Sequence, residues 1–401
     1  MIDIDYSGAD ISYNTNILKE KIRKIKKEEK PVFVKDKPPI KKIKQLASKY
    51  SKYKNIIVIG NGGSITSSQA FYTALGNMKK KMYVLNTMEP DYVNKLKKNC
   101  KKKDTLVIPI SKSGNTVGVI ESVMAFIDYP MLVVTQTENS ALYKIAKKRK
   151  IETLEHPVVG GRYSGRTTCG LLPAAILDID IEAINKGALF MYKKCDTSVS
   201  IEKNPALKIS TILYALDKKG YHEVFLPIYS TRLEGFNNLI IQLIHESSCK
   251  EGKGQTIIGA LAPESQHHTN QRFFGGKKNI LGLFNRVIDQ DDTKSVTKIP
   301  KDLADIEIRD GKLEDINNIP LNKSIEFEFL GTKHDASNNR IPNMVISIDK
   351  ITPHSIGEYL ALWQYIAVYS SYLREVNPFD QPQVENSKEI SFELRKKYHQ
   401  L

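Results

Sequence analysis

Four short apolar runs rich in β-branched residues recur at near-even intervals early in the chain, and this rhythm restricts the fold more than any other feature. They are NIIVIG at 55–60, MYVLN at 82–86, DTLVIPI at 104–110 and MLVVTQ at 131–136. A run this short and this continuously apolar fits a strand buried on both faces. Between the runs lie helical segments near 64–77, 89–99, 115–127 and 140–149. Strands that alternate with helices build a parallel, doubly wound sheet, because each crossover helix must pack back onto a sheet face.

The rhythm stops near residue 155. RTTCGLLPAAILDID and the stretch to Lys194 read as helical and bridging. A second α/β region begins near 205. Its expected strands are 222–228, 256–263, 279–284, 324–331 and 342–348, with helices at 233–248 and 356–376. The expected fold is therefore α/β, with two doubly wound parallel-sheet domains. The first covers 41–195 and the second 196–375. Residues 1–40 form an N-terminal arm, in which Ile17, Leu18, Ile22 and Ile25 have the spacing of an amphipathic helix. Residues 376–401 form a polar C-terminal arm ending in an amphipathic tail. The 401 residues are too many for one ordinary core, which agrees with two domains.

Charge first suggests a polyanionic partner. The chain carries 60 Lys plus Arg against 45 Asp plus Glu, a formal net charge of +15. Of the 60 basic residues only 11 are Arg. Nucleic-acid readers lean on the planar guanidinium, so a Lys-dominated excess reads as solvated surface. The run KLKKNCKKK at 95–103 has no interleaved aromatics and reads as a solvated helix end. Cys100, Cys169, Cys195 and Cys249 form no CxxC pair, so the expectation is a reducing, cytoplasmic setting without a zinc knuckle or a structural metal. No basic start followed by an apolar stretch opens the chain, and no apolar run approaches the roughly 20 residues that span a bilayer. No membrane or nucleic-acid partner is expected, and no cofactor.

Two turns carry chemistry. The first strand runs into IGNGGSITSSQA at 59–70, where glycines, Gly63 among them, lead to Ser64, Thr66, Ser67 and Ser68. Strand, glycine-rich turn and helix suit an anion, because the backbone approaches closely and the helix start offers unpaired N–H groups. The pattern is neither GxGxxG nor GxxxxGK[S/T], so no nucleotide is indicated. The third strand ends in IPISKSGNTV at 108–117, which sets Ser111, Ser113 and Thr116 around Lys112 and Gly114. Ligands of doubly wound sheets bind at the carboxyl ends of the strands, so both turns face one crevice. Hydroxyls and backbone amides suit a phosphate monoester. Either turn taken alone is also an ordinary capped strand-to-helix connection.

SKSGNT after a buried strand, together with GNGGS, resembles the sugar isomerase domain family. VGGRYSGRTTCGLLP at 159–173 and NPFDQPQVENSK at 377–388 resemble the two signatures of the glucose-6-phosphate isomerase family, in the right order. The resemblance implies sugar isomerase type, flavodoxin-like domains and a reversible aldose-ketose isomerisation of a sugar phosphate. It implies a phosphate held by Ser64 with Ser111, Ser113 and Thr116, beside Gly63 and Lys112. It implies that Arg162, of GGRYS, stabilises an enediolate, a role suited to a fixed and permanently charged donor.

The family's base is a Glu four residues after a Gln, which maps to Gln242 and Glu246 in IIQLIHESSCKEGKG. Residues four apart share a helix face. Taken alone, Glu246 would read as a surface residue. PESQHHTNQ at 263–271 maps the catalytic His to His267, with His268 second. Gln381 and Lys388 match the family's last pair, a Lys seven positions after the Gln of FDQ. His156, His222, His334, His354 and His399 read as packing or surface residues, and Trp363 as core. The resemblance further implies glucose 6-phosphate and fructose 6-phosphate as substrates, with no metal or cofactor. It also implies a homodimer in which His267 crosses to the neighbouring site. Two alternatives stay open: an enzyme that also isomerises mannose 6-phosphate, and a non-catalytic sugar-phosphate sensor.

Overall fold

The structure, a computed structural model, describes residues 1–9, 16–77, 79–136, 139–290 and 294–398. His399 lies outside the described residues. The strands in chain order are β1 (Ile2–Asp5), β2 (Asn55–Ile59), β3 (Lys81–Leu85), β4 (Thr105–Ser111), β5 (Leu132–Thr135), β6 (Glu152–Glu155), β7 (Glu223–Tyr229), β8 (Thr256–Leu261) and β9 (Ile280–Asp289). A minimal hairpin of β10 (Glu307–Ile308) and β11 (Gly311–Lys312) follows, and then β12 (Asn343–Lys350).

The first sheet has the order β3-β2-β4-β5-β6, and every pairing in it is parallel. The second has the order β1-β12-β9-β7-β8. In it β12, β9, β7 and β8 are parallel, and β1 closes the edge antiparallel to β12. Both sheets start from an interior strand, add one neighbour, then reverse. The reversal falls between β2 and β4 in the first sheet and between β7 and β9 in the second. Such switch points open a crevice beyond the carboxyl ends of the strands.

Alternation along β2 shows why these segments are strands buried twice over. Ile56 and Val58 point into the largest core cluster, and Ile57 and Ile59 into a separate one on the opposite face. The larger core runs through both halves and includes Leu226 and Leu283 of the second sheet. Its axis is the Pro353–Leu373 helix, capped by the Thr352 hydroxyl and buried on all sides, with Trp363 fully enclosed. A helix apolar all round belongs inside a large core. The bridging stretch forms the Thr168–Ile176 and Ile181–Lys194 helices.

Three features depart from the sequence reading. The segment 324–331, expected as a strand, lies inside the Leu321–Asn338 helix. Ile325, Phe327 and Phe329 alternate, but Phe327 is exposed, whereas Ile325, Phe329, Thr332 and Ala336 keep helical spacing toward the sheet. Residues 2–5 extend the second sheet, with Ile2 opposite Ile348 and Ile4 opposite Ile346. β6 adds an edge to the first sheet that its polar sequence ETLE did not announce.

Candidate active site

The switch point of the first sheet holds both serine turns. β2 leads through Gly62, at φ +56°, into the Gly63–Leu75 helix. The GGRYS segment is a tight 3-10 turn, Gly161–Arg166, seated on the start of that helix. A Cβ on Gly63 would lie 2.1 Å from the Arg162 backbone nitrogen, so only glycine lets the two turns touch. Gly63→Ala is expected to cost about 3 kcal/mol of stability by overpacking against backbone that cannot yield. The same change shifts Arg162 and lowers turnover. Urea denaturation with steady-state kinetics checks both effects.

β4 ends at Ser111, and the chain then turns through Gly114 at φ +60°. The Gly114 N–H donates to Ser111 Oγ at 3.1 Å, and the Asn115 N–H to Ser113 Oγ at 3.3 Å. Ser111 Oγ lies 3.4 Å from Thr116 Oγ1. Ser64, Ser111, Lys112, Ser113 and Thr116 line one cavity of about 330 Å³, facing Gln381, Glu385 and Lys388 of the C-terminal arm. The helix start, the hydroxyls and two lysines make this cavity attractive to a dianion.

Arg162 is the hub that joins the chain's distant segments. Its residue is 2% exposed, and every nitrogen of the guanidinium is engaged. Nε donates to Ser247 Oγ at 2.8 Å. Nη1 donates to Glu246 Oε2 at 3.1 Å and to Gln381 Oε1 at 2.9 Å. Nη2 donates to the carbonyls of Pro378 at 2.6 Å and Asp380 at 3.0 Å. The Tyr163 ring lies below, 5.2 Å from the guanidinium carbon, and its hydroxyl meets Ser247 Oγ at 2.8 Å. A rigid fork with fixed partners suits charge stabilisation without reorganisation.

Glu246 projects from the Glu234–Ser248 helix of the second half. Gln242, one turn earlier, donates from Nε2 to Glu246 Oε1 at 2.8 Å. Thr66 Oγ1 lies 3.4 Å from Gln242 Oε1 and ties this pair to the first glycine-rich turn. One carboxylate oxygen thus faces Gln242 and the other Arg162. The side chain keeps 26% of its surface open, so it remains reachable. Glu246 lines a second cavity of about 340 Å³ with His245, Cys249, Thr256 and Gln381. Burial holds the His245 ring below its ordinary pKa, and its Nε2 accepts the Ile257 N–H at 2.9 Å, so it stays neutral beside the carboxylate. Gln381 stands on the wall of both cavities.

The structure therefore brings together Gly63, Ser64, Ser111, Lys112, Ser113, Thr116, Arg162, Gln242, Glu246, Gln381 and Lys388. Lys388 lines the serine cavity and donates to Glu385 Oε1 at 2.8 Å. His267 is not brought there. It ends the short Glu264–His267 turn after β8, is exposed, and lines neither cavity. Sequence reasoning passed over Ser247, Tyr163 and Lys250, although all three lie within or beside the quoted segments. Lys250 is buried and grips the Asn377–Asp380 turn. Arg166 holds α-helical residues instead of facing the cavities: it donates to the Phe33 carbonyl at 3.0 Å and to Asn185 Oδ1 at 2.9 Å. Among the described residues no group of three or more His, Cys, Asp or Glu is placed to hold a metal ion. Among the same residues no helix is long and apolar enough to cross a membrane.

Comparison with known proteins agrees with this geometry. The phosphoglucose isomerase family model matches residues 41–400. A probable glucose-6-phosphate isomerase of Methanococcus maripaludis is 30% identical over 362 residues, covering 86% of this chain and 80% of its own. The glucose-6-phosphate isomerase of Methanocaldococcus jannaschii is 30% identical over 356 residues, covering 86% and 85%. In fold, the chain resembles a hypothetical protein of Thermus thermophilus with a TM-score of 0.85 at 22% identity, covering 99% of this chain and 100% of that one. It also resembles a glucose-6-phosphate isomerase of Chlamydia trachomatis with a TM-score of 0.71 at 17% identity, covering 96% of this chain and 74% of that one. The family match over residues 41–400, with curated relatives at 30% identity over most of both chains, leads to one conclusion: this chain belongs to the phosphoglucose isomerase family.

Proposed function

We propose that the chain interconverts glucose 6-phosphate and fructose 6-phosphate through an enediolate, with Glu246 as the base. The observation that carries this reading is the Glu246 carboxylate held between Gln242 and the buried Arg162, next to the two serine turns. The phosphate docks among Ser64, Ser111, Ser113 and Thr116, near Lys112. The carbon chain then passes Gln381, which borders both cavities, and brings C1 and C2 to Glu246. Lys388 and a histidine assist ring opening. Glu246 takes the proton from C2 and returns it to C1, and a proton moves from the C2 hydroxyl to the C1 oxygen. Arg162 stabilises the intervening negative charge, in a site where fixed donors are most effective.

The exposed position of His267 supports a homodimer in which this residue serves the neighbouring copy's site. A histidine titrates near neutral pH and suits proton transfer to a ring oxygen. The test is a coupled assay of the purified chain with fructose 6-phosphate, followed by subunit mixing. Glu246→Gln and His267→Gln chains are each expected to be nearly inactive alone. Refolded together in equal amounts, they should regain about a quarter of wild-type activity, because half the dimers are mixed and each has one intact site of two. No turnover by the wild type excludes the enzyme reading and leaves a sugar-phosphate sensor. No recovery on mixing places His267 in its own subunit's site.

A further inference from the structure

We infer that Lys250 is a positioning residue for this reaction: by holding the Asp380 carboxylate it keeps that charge off Arg162 and fixes the turn that carries Gln381. The inference rests on the proposed role of Arg162. Lys250 is 8% exposed, with its ammonium enclosed by the Asn377–Asp380 turn. Nζ donates to the Asn377 carbonyl, to the Asp380 carbonyl at 2.7 Å and to Asp380 Oδ1 at 2.5 Å. The other carboxylate oxygen, Oδ2, accepts from Asn377 Nδ2 at 3.0 Å. Both oxygens of Asp380 are thereby engaged away from the guanidinium.

Arg162 meets the same turn only through the main-chain carbonyls of Pro378 and Asp380. Two cations thus clamp four residues and share the Asp380 carbonyl, but only Lys250 meets the Asp380 carboxylate. Lys250 takes the side-chain charge, whereas Arg162 takes neutral carbonyls and keeps Nη1 directed at Glu246 and Gln381. The hydrogen bond from Lys250 holds the Asp380 carboxyl below the usual carboxylate range, and the charge of Arg162 acts in the same direction. Asp380 is therefore ionised and within electrostatic reach of Arg162. A guanidinium and a free carboxylate favour a bidentate pair. If Lys250 were absent, Asp380 would be free to form that pair and to neutralise the charge an enediolate needs. Gln381, the next residue, would be displaced with it.

Lys250→Met is expected to lower kcat by about 10- to 100-fold, the scale of a misplaced or neutralised catalytic donor. Inhibition by inorganic phosphate, read as a probe of the serine cavity, is expected to weaken by less than kcat falls, because Ser64, Ser111, Ser113 and Thr116 keep their places while Gln381 shifts. Adding Asp380→Asn removes the competing charge and is expected to raise kcat again by about fivefold or more. A purely structural role for Lys250 predicts the reverse, since the second change removes one more hydrogen-bonded partner. Wild-type kcat in Lys250→Met overturns the inference, as does a double variant no faster than the single one. If the methionine variant does not fold, Lys250→Gln, which keeps a donor but no charge, undergoes the same comparison with and without Asp380→Asn. An inactive wild-type chain overturns the isomerase reading and this role together. An active wild type with an undiminished Lys250 variant overturns the role alone.

Discussion

Glu246→Gln is expected to lower kcat by about 10²–10⁴-fold, the usual contribution of a positioned general base. The substitution keeps shape and removes only the ability to take a proton. The new amide oxygen can still accept from Gln242 Nε2, which now holds Glu246 Oε1 at 2.8 Å. Arg162 loses one charged acceptor but keeps Ser247, Gln381 and the carbonyls of Pro378 and Asp380. The helix that carries Glu246 is anchored by Leu239, Leu243 and Ile244, which are buried and untouched. The fold should therefore survive, and so should sugar-phosphate binding, because the phosphate cavity is built from Ser64, Ser111, Ser113 and Thr116. Steady-state kinetics in both directions, with an equilibrium binding measurement on the variant, separates chemistry from affinity. Full turnover in the variant removes Glu246 from the role of base. Lost binding with lost turnover would assign it to substrate holding instead.

The fold was readable where side-chain periodicity had one interpretation. The stretches 56–59 and 106–110 are apolar at every position, and the sheet buries them on both faces. The segment 324–331 had two interpretations. Alternating Ile325, Phe327 and Phe329 satisfies a strand, while Ile325, Phe329, Thr332 and Ala336 satisfy a helix. Tertiary packing against Tyr229 and Phe284 decided between them, and no local pattern contains that information. β1 was hidden for a related reason: its four residues, IDID, acquire meaning only opposite Ser347 and Ile348, far along the chain.

The same division holds within the site. The serine turns are local motifs and were visible as such. The partners of Arg162 were not, since its bond to the Pro378 carbonyl joins residues 216 apart in sequence. Lys250 was invisible as a site residue because it is one of many lysines. Its distinction is burial beneath the C-terminal turn, which only the folded chain supplies.

Arg162 yields the second large effect, and two substitutions separate its functions. Arg162→Ala removes a buried cation and its five hydrogen bonds, so that Ser247 and the Pro378 carbonyl keep only Tyr163 and the Asp380 carbonyl only Lys250. Losing these bonds and emptying the space of a side chain that is 2% exposed is expected to destabilise the protein by about 3 kcal/mol. The C-terminal turn loosens, so Gln381 and Lys388 lose their position and KM should rise while kcat falls. Arg162→Lys keeps the positive charge, but three donors on a point charge cannot span five acceptors spread over two segments. Its folding should be closer to wild type, and its kcat about 10²–10³-fold lower, the scale seen when a preorganised donor to a developing anion is lost. Urea denaturation and steady-state kinetics give a stability, a kcat and a KM for each variant. If Arg162 only braces the fold, stability and kcat fall together, and the lysine variant recovers both in proportion. If it stabilises the enediolate, the lysine variant recovers stability while kcat stays low, because fork geometry and not charge alone is what the transition state requires.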